Sequence, residues 1–442
     1  MSLHIEDYAL IGDCQTAALV GRDGSIDWLC LPRFDSSACF AALLGEPKNG
    51  RWQIVPTIPI RSARRQYLDD SLVLETVFET DAGTVAVIDF MPVRDTVPEL
   101  MRIVEGRGGQ VPLRMELILR FDFGSVVPWM RKAEGGIEAI AGPDAIRIRS
   151  SVPLRGENLT TVADFTVSKG ERVPFRLTWH RSFDADPKSV EPAAALTETL
   201  DWWKEWSGRC KYRGEYRKLV LRSLITLKAM TYMPSGGIVA ATTTSLPEKI
   251  GGVRNWDYRY CWLRDATLSL LALLNSGYTD EAAAWREWLL RAIAGDPSQL
   301  QIMYGIGGER RLEEFEIPWL GGYEGSRPVR AGNAAHQQFQ LDVYGEVADA
   351  LHHARRDGLK PAEAGWRLET SLIEFVEKSW DQPDEGIWEV RGPRRHFTHS
   401  KVMAWVAMDR AIKSAERFEL SAPLERWKAL RRTIHERVCN DG

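Results

Sequence analysis

The chain has 442 residues, too long for one small core, and a prior of roughly 150 residues per domain points to two or three domains. With 57 basic against 61 acidic residues the net charge is −4, which argues against a general nucleic-acid binder, since that needs a basic stripe to displace phosphate counterions. No apolar run approaches the roughly 18 residues of a membrane-crossing helix.

In chain order, the opening MSLHIEDYALIGDCQ has neither a basic n-region nor an apolar h-region, so no secretory signal is expected. The six cysteines are scattered without a CxxC pair, the usage of a reduced, cytoplasmic protein. Residues 71–93 read as two β runs around the turn Asp81-Ala82-Gly83, and further strand-like runs follow at 113–123, 145–152, 159–167 and 173–180. Glu134-Gly135-Gly136 punctuates the interval after the first of these. Short strands at this spacing predict an antiparallel β-sandwich over residues 1–183, followed by a linker and linker helix over 184–212.

From 213 onward the period changes to that of helices. One face of Tyr216, Leu219, Val220, Leu224 and Leu227 predicts a helix over 213–232, and two more are expected at 264–275 and 280–294, the latter capped by Thr279. Phe339, Val343, Val347 and Leu351 stripe a fourth, Ile373, Val376 and Trp380 a fifth, and Val402, Trp405, Val406 and Ile412 a sixth. Ser421 opens a seventh, which carries Leu424, Trp427, Leu430, Ile434 and Val438. Thirteen of the 17 tryptophans lie beyond residue 200. That supply serves either as core or as indole platforms for the apolar faces of sugars.

Four loop segments between these helices carry candidate chemistry. In GGVRNWDYRYCWLRDA, Arg264 and Asp265 offer the donors and acceptors that grip vicinal hydroxyls, or else an ordinary ion pair at a helix start. In EIPWLGGYEGSRPVR, glycine and proline shape a loop presenting Trp319, Tyr323 and Arg327, either to a ligand or to the neighbouring helices, and His336 just beyond it reads as a structural histidine. In DEGIWEVRG, Glu389 follows Trp388 between apolar neighbours. Such a flank disfavours the anion, as a general acid needs, although a solvated carboxylate beside a core indole fits the same residues. HFTHSK completes the set, and the spacing of His396 and His399 has no further ligand to make a metal site. No GxSxG, phosphate loop or strand-embedded GxGxxG is present.

At these segments the chain resembles glycoside hydrolase family 15, the bacterial glucoamylase and trehalase-like enzymes, over essentially its whole length. The opening IEDYALIGDCQTAALVGRDGSIDWLCLPRFDSSACFAALLG is similar to that group's trehalase-like N-terminal domain. GGVRNWDYRYCWLRDA, GYEGSRPVRAGNAAHQQFQLDVYGE and GIWEVRGPRRHFTHSKVMAW resemble its catalytic module. The resemblance implies an α+β multidomain chain, with the β-sandwich followed by an (α/α)6-barrel over 213–442, and inverting release of a terminal α-linked glucose without a cofactor or metal. It implies Glu389 as general acid and Arg264 and Asp265 as the hold on the non-reducing glucose, with Trp262 beside them. Trp388, Tyr323, Arg327, His399 and Lys401 are implied as pocket lining.

An inverting enzyme needs a second carboxylate, and nothing here resembles the late GNFPQAFSH-like stretch near which the family carries it. Seven expected helices, where the barrel implies twelve, predict an incomplete barrel: a truncated chain, or one whose open face is covered by a homo-oligomer or complementing chain. Glu313, Glu314 and Glu316 are the substitute bases the sequence offers. The expected partner is a small or oligomeric α-glucoside, with no nucleic acid and no membrane. A binding-only relative lacking the base, and an inverting phosphorylase using phosphate in its place, remain the alternatives.

Overall fold

The computed structural model describes residues 2–187, 190–359 and 363–441. They form two compact units, and no single cut of the chain separates them. The first comprises Met1–Tyr232 with two later returns, Ala241–Arg259 and Phe315–Ala331, while the second holds Met233–Ala240, Tyr260–Glu314 and Gly332–Gly442.

The first unit is an antiparallel two-layer β structure. One layer contains strands Tyr8–Gly12, Ala17–Gly21, Ser25–Cys30, Arg51–Pro56, Thr160–Ser168 and Arg155–Glu157; the other contains Ile60–Tyr67, Leu74–Thr80, Gly83–Phe90, Arg172–Arg181, Asp144–Ser150, Gly136–Ala141 and Trp129–Ala133. A single 20-residue strand, Glu99–Ile118, serves both. Its first half pairs with Gly83–Phe90 and Arg172–Arg181, and its second half with Arg51–Pro56 and Thr160–Ser168. The passage between layers falls at Gly106, Gly108 and Gly109. A Cβ on Gly106 would lie 2.1 Å from the Ser168 carbonyl oxygen, and Gly109 adopts φ +65°. Val20, Trp52, Ile54, Met115, Phe78, Val87, Val104, Ile148 and Leu177 interdigitate between the layers as one apolar core. Within it Arg102 is fully buried, bonded to Asp89 at 2.7 Å and to the carbonyls of Trp52 and Gly24 at 2.6 and 2.8 Å.

The predicted strands at 71–93, 145–152, 159–167 and 173–180 are present. The predicted run at 113–123 is the second half of the long strand, which starts 14 residues earlier and ends at Ile118. The strands before residue 60 escaped the sequence reading because most are buried on both faces and do not alternate. Part of the segment 184–190 lies outside the described residues.

Two helices complete this unit, α1 (Pro192–Gly208) and α2 (Arg217–Ala229). The apolar stripe expected on α2 is rotated: Leu221, Leu224 and Ile225 face inward, while Leu219 is exposed. The return segments belong here because Ile317, Leu320, Tyr323 and Val329 pack with Trp28, Leu43, Leu44 and Phe123. Arg259 is equally bound to this unit, paired with Asp257 at 2.7 Å and donating to the Ser36 carbonyl at 2.6 Å.

The second unit carries α3 (Leu263–Asn275), α4 (Thr279–Ala292), α5 (Asp342–Arg356), α6 (Glu363–Ser379), α7 (Thr398–Phe418) and α8 (Leu424–Asp441). These six helices, among the described residues, make a partial (α/α)6-barrel. Thr279 is the first residue of α4, not its side-chain cap. On α7 the inward face matches the predicted bulky stripe only at Ile412: it is buried with Ala404, Ala407, Met408, Ala411 and Ala415, while Trp405 and Val406 are half-buried and Val402 is exposed. Small residues suit this contact with α5, where a Cβ on Gly345 would lie 2.3 Å from the Met403 carbonyl oxygen. No described helix is long and apolar enough to cross a membrane.

Candidate active site

The site of interest lies within the second unit, where α3 begins. The two-residue strand Cys261–Trp262 pairs with Met303–Tyr304, so Trp262 enters the helix in extended conformation with its indole buried. Its Nε1–H donates to Glu389 Oε1 at 2.6 Å. Arg264, in the first turn of α3, donates from one nitrogen to the Ile387 carbonyl at 3.4 Å; the same nitrogen stands 3.5 Å from Asp342 Oδ2. Its other terminal nitrogen is 3.9 Å from Glu389 Oε1. Asp265 is exposed beside it, on the positive end of the helix.

Glu389 comes from a tightly tied loop. The bridge between Asp384 and Arg395 closes the loop on itself, and the Leu341 amide donates to Asp384 Oδ2 at 2.9 Å. The Phe339 amide donates to Glu385 Oε2, also at 2.9 Å, which ties the loop to the chain entering α5. Gly386, at φ +70°, starts the turn that delivers Glu389, itself at φ +52°, a region uncommon for a residue with a side chain. Burial, above all, pushes the Glu389 carboxyl above its usual range; the Trp262 bond and Arg264 work against this, and Asp265 and Asp342 add to it. A carboxyl that holds its proton more firmly than usual, oriented by a fixed donor, has the properties a proton donor to a leaving oxygen needs. The burial does not come from the neighbours in sequence: Trp388 is 76% exposed and Val390 is exposed too.

Two further carboxylates stand close by, and neither drew attention in the sequence. Asp342, the first residue of α5, is fully buried with no hydrogen bond to either oxygen among the described residues. Glu346, one turn later, is pushed up to about 7, chiefly by burial and then by Asp342. Both were hidden inside the apolar stripe of the fourth predicted helix, and the only available signal was an acid adjoining that stripe at a helix start.

Of the remaining sequence candidates, His399 lies in the first turn of α7, its Nδ1 buried without a hydrogen-bond partner among the described residues, and its ring is among the groups that bear on Asp342. The Lys401 ammonium donates to the carbonyls of Trp380 and Gln382 at 2.8 and 2.6 Å, which anchors the loop before Glu389. Tyr323 and Arg327 belong to the first unit. The Tyr323 ring is part of the apolar cluster with Trp28, and Arg327 donates to the Gly321 carbonyl at 3.2 Å. Among the substitute bases, Glu314 is gripped by Arg391 at 2.9 and 2.5 Å and by the Ala334 amide at 3.0 Å. Glu316 lies in the first unit, 3.7 Å from Arg330.

With this geometry in view, the comparisons with known proteins are decisive. The family model for glycosyl hydrolases family 15 matches residues 214–442. The chain belongs to glycosyl hydrolases family 15. It is therefore a glycoside hydrolase, and a second model, trehalase-like N-terminal, matches residues 1–166 of this family 15 member. It is 35% identical to a protein named trehalase from Mycobacterium tuberculosis, over 99% of this chain and 69% of that protein. Against a trehalase from Thermoplasma volcanium it is 34% identical, over 99% of this chain and 71% of that protein. A solved bacterial glucoamylase complexed with acarbose superposes with a TM-score of 0.68 at 12% identity, covering 99% of this chain and 67% of that one, a likeness of fold.

Proposed function

We propose that this family 15 member hydrolyses trehalose with inversion, Glu389 acting as the general acid. The observation that carries the reading is the Glu389 carboxyl itself: oriented at 2.6 Å by the Trp262 indole and held above the usual carboxylate range by burial. The curated relatives named trehalase, which align with nearly the whole chain, favour trehalose over maltose or isomaltose as substrate.

In this reading Arg264 and Asp265 bind hydroxyls of the glucose whose bond is broken. Glu389 gives its proton to the glycosidic oxygen as the bond from the anomeric carbon to that oxygen breaks. Water adds to that carbon from the opposite face and loses its own proton to a base. An inverting base stands about 6.5–9.5 Å from the acid, with room for the water. Asp342 is fully buried and shares Arg264 with the acid, so it is not given that role.

Glucose release from trehalose, maltose and isomaltose, with Glu389→Gln as control, tests the assignment. Release from trehalose that falls about 10³-fold in the variant is expected. Inversion at one of the two α-linked centres yields α- and β-glucose in equal amounts at first, whereas retention yields only α-glucose, and NMR of the fresh products separates the two. A folded protein whose tryptophan fluorescence responds to trehalose without release would favour the binding-only reading. Release of glucose 1-phosphate only in the presence of phosphate would favour a phosphorylase.

A further inference from the structure

One guanidinium is shared by two carboxylates that do not have equal alternatives. Arg264 approaches Asp342 to 3.5 Å and Glu389 to 3.9 Å. Glu389 has an indole donor of its own and retains partial access to solvent, its side chain being 18% exposed. Asp342 has neither: it is fully buried, and no hydrogen bond reaches either oxygen among the described residues. Burial pushes the Asp342 carboxyl up as it does that of Glu389, but Arg264 is the foremost group opposing this at Asp342, whereas at Glu389 the Trp262 indole comes first; the ionised Asp342 therefore depends on Arg264 the more.

We propose that Asp342 is a positioning residue that draws the Arg264 guanidinium away from Glu389, leaving Glu389 its proton for the leaving oxygen. This rests on the reading of Glu389 as the acid. Without the negative charge at position 342, Glu389 is the carboxylate that remains within 4 Å of Arg264 among the described residues, with Glu346 acted on from farther off. A close Arg264–Glu389 pair would fix Glu389 as the anion and take it out of its role.

The surroundings make the sign of the effect readable. Glu389 is faced by Arg264 and Asp265 from α3, by Asp342 from α5 and by the Trp262 indole. Asp342 is faced by Arg264 from α3, by His399 from α7, by Asp384 from the loop before Glu389, and by Glu346 one turn along its own helix. Lys401 faces Asp384. Among the described residues, Arg264 is the cation that bears on both Asp342 and Glu389. Replacing Asp342 by a neutral residue both removes a repelling charge from Glu389 and releases an attracting one to it, and the two changes act in the same direction.

The test is a titration that does not need turnover. With glutamate labelled by ¹³C at the carboxyl carbon, the Glu389 signal is assigned by its loss in Glu389→Gln and followed against pH. In Asp342→Asn the transition is expected to move to lower pH by about one unit, and in Asp342→Glu, which keeps the charge, to stay near that of the unaltered chain. Should the Asn variant not fold, Asp342→Ser makes the same test. A Glu389 transition unmoved in the neutral variant overturns the proposal, as does one that moves equally in Asp342→Glu. Glucose release from trehalose, measured over the same pH range, separates the two ideas. A shifted transition with no release from the unaltered chain rejects Glu389 as acid, while release with an unshifted transition rejects the part given to Asp342.

Discussion

The Trp262 indole and the Glu389 carboxyl, 127 residues apart in sequence, are joined by a 2.6 Å hydrogen bond in which the indole donates. The bond favours the ionised form of Glu389 and partly opposes the effect of burial. Trp262→Phe keeps the ring and removes the donor. The Glu389 carboxyl should then titrate at higher pH, so the alkaline limb of the glucose-release profile moves upward. The rate at the optimum is expected to fall about tenfold, because the acid loses its orientation. A lower rate with an unmoved limb would mean that the indole serves only packing.

Gly386 is the pivot of the Glu389 loop. It sits at φ +70°, and a Cβ there would lie 2.7 Å from the Phe397 ring. Gly386→Ala should cost about 1–3 kcal/mol of stability and lower glucose release further than the stability loss explains, since the turn that presents the acid is displaced. Melting temperature and activity measured side by side check this, and an alanine variant that matches the unaltered chain in both would refute it.

Glu346 should make the fold less stable in alkali. Its carboxyl is pushed from 4.5 to about 7 in the folded chain, chiefly by burial, with Asp342, Asp349 and Asp265 adding and Arg264 opposing. Between those two values the folded chain binds more protons than the unfolded one, so stability falls as pH rises, and the loss is complete above about 7. His352, buried and lowered from 6.5 to about 4, runs the other way across its own window. Comparing Glu346→Gln with the unaltered chain cancels that contribution. The variant should gain about 2 kcal/mol in relative stability between pH 4.5 and pH 8, read from denaturant midpoints, and a constant difference across that range would refute the assignment.

In the β unit, the fully buried pair of Arg102 and Asp89 should be asymmetric to mutation. Asp89→Asn leaves a buried guanidinium with only carbonyl partners and should cost about 3 kcal/mol or more. The double replacement Asp89→Asn with Arg102→Met removes the charge as well and should recover part of that loss. Thermal unfolding of the single and double variants measures it, and additive losses would show that the pair is not coupled.

Much of the architecture was legible because it follows from periodicity. The β runs after residue 71 alternate or carry β-branched residues between turn signals, and each of the seven expected helices has a counterpart within a few residues. What failed was the choice of face. Leu219 and Val402 look like core and are exposed, while the interior of α7 is built largely from alanines around Met408 and Ile412, and a search for bulky residues overlooks most of it. The site shows the same division. The sequence places the cause of a raised Glu389 carboxyl in the adjoining Trp388, which is exposed; the indole that touches the carboxyl is Trp262. Asp342 and Glu346 were missed because two acids among the valines of a helix do not announce that they share a neighbour on another helix. The motif around Arg264 also conceals a border: Asp257 and Arg259 stabilise the first unit, while Trp262 and Arg264 belong to the second.

The strand Glu99–Ile118 gives the β unit a kinetic character as well as a shape. Its partners are drawn from residues 51–56, 83–90, 161–168 and 172–178, so neither layer is finished until distant parts of the chain have met on this one ribbon. Contacts so far apart in sequence make for slow folding, because the loops between them must close before the pairing rewards it. Once formed, the shared strand leaves the two layers no way to come apart one at a time. Hydrogen exchange at its central amides should therefore report the opening of the whole unit, with the slowest amides of both layers exchanging at a common rate.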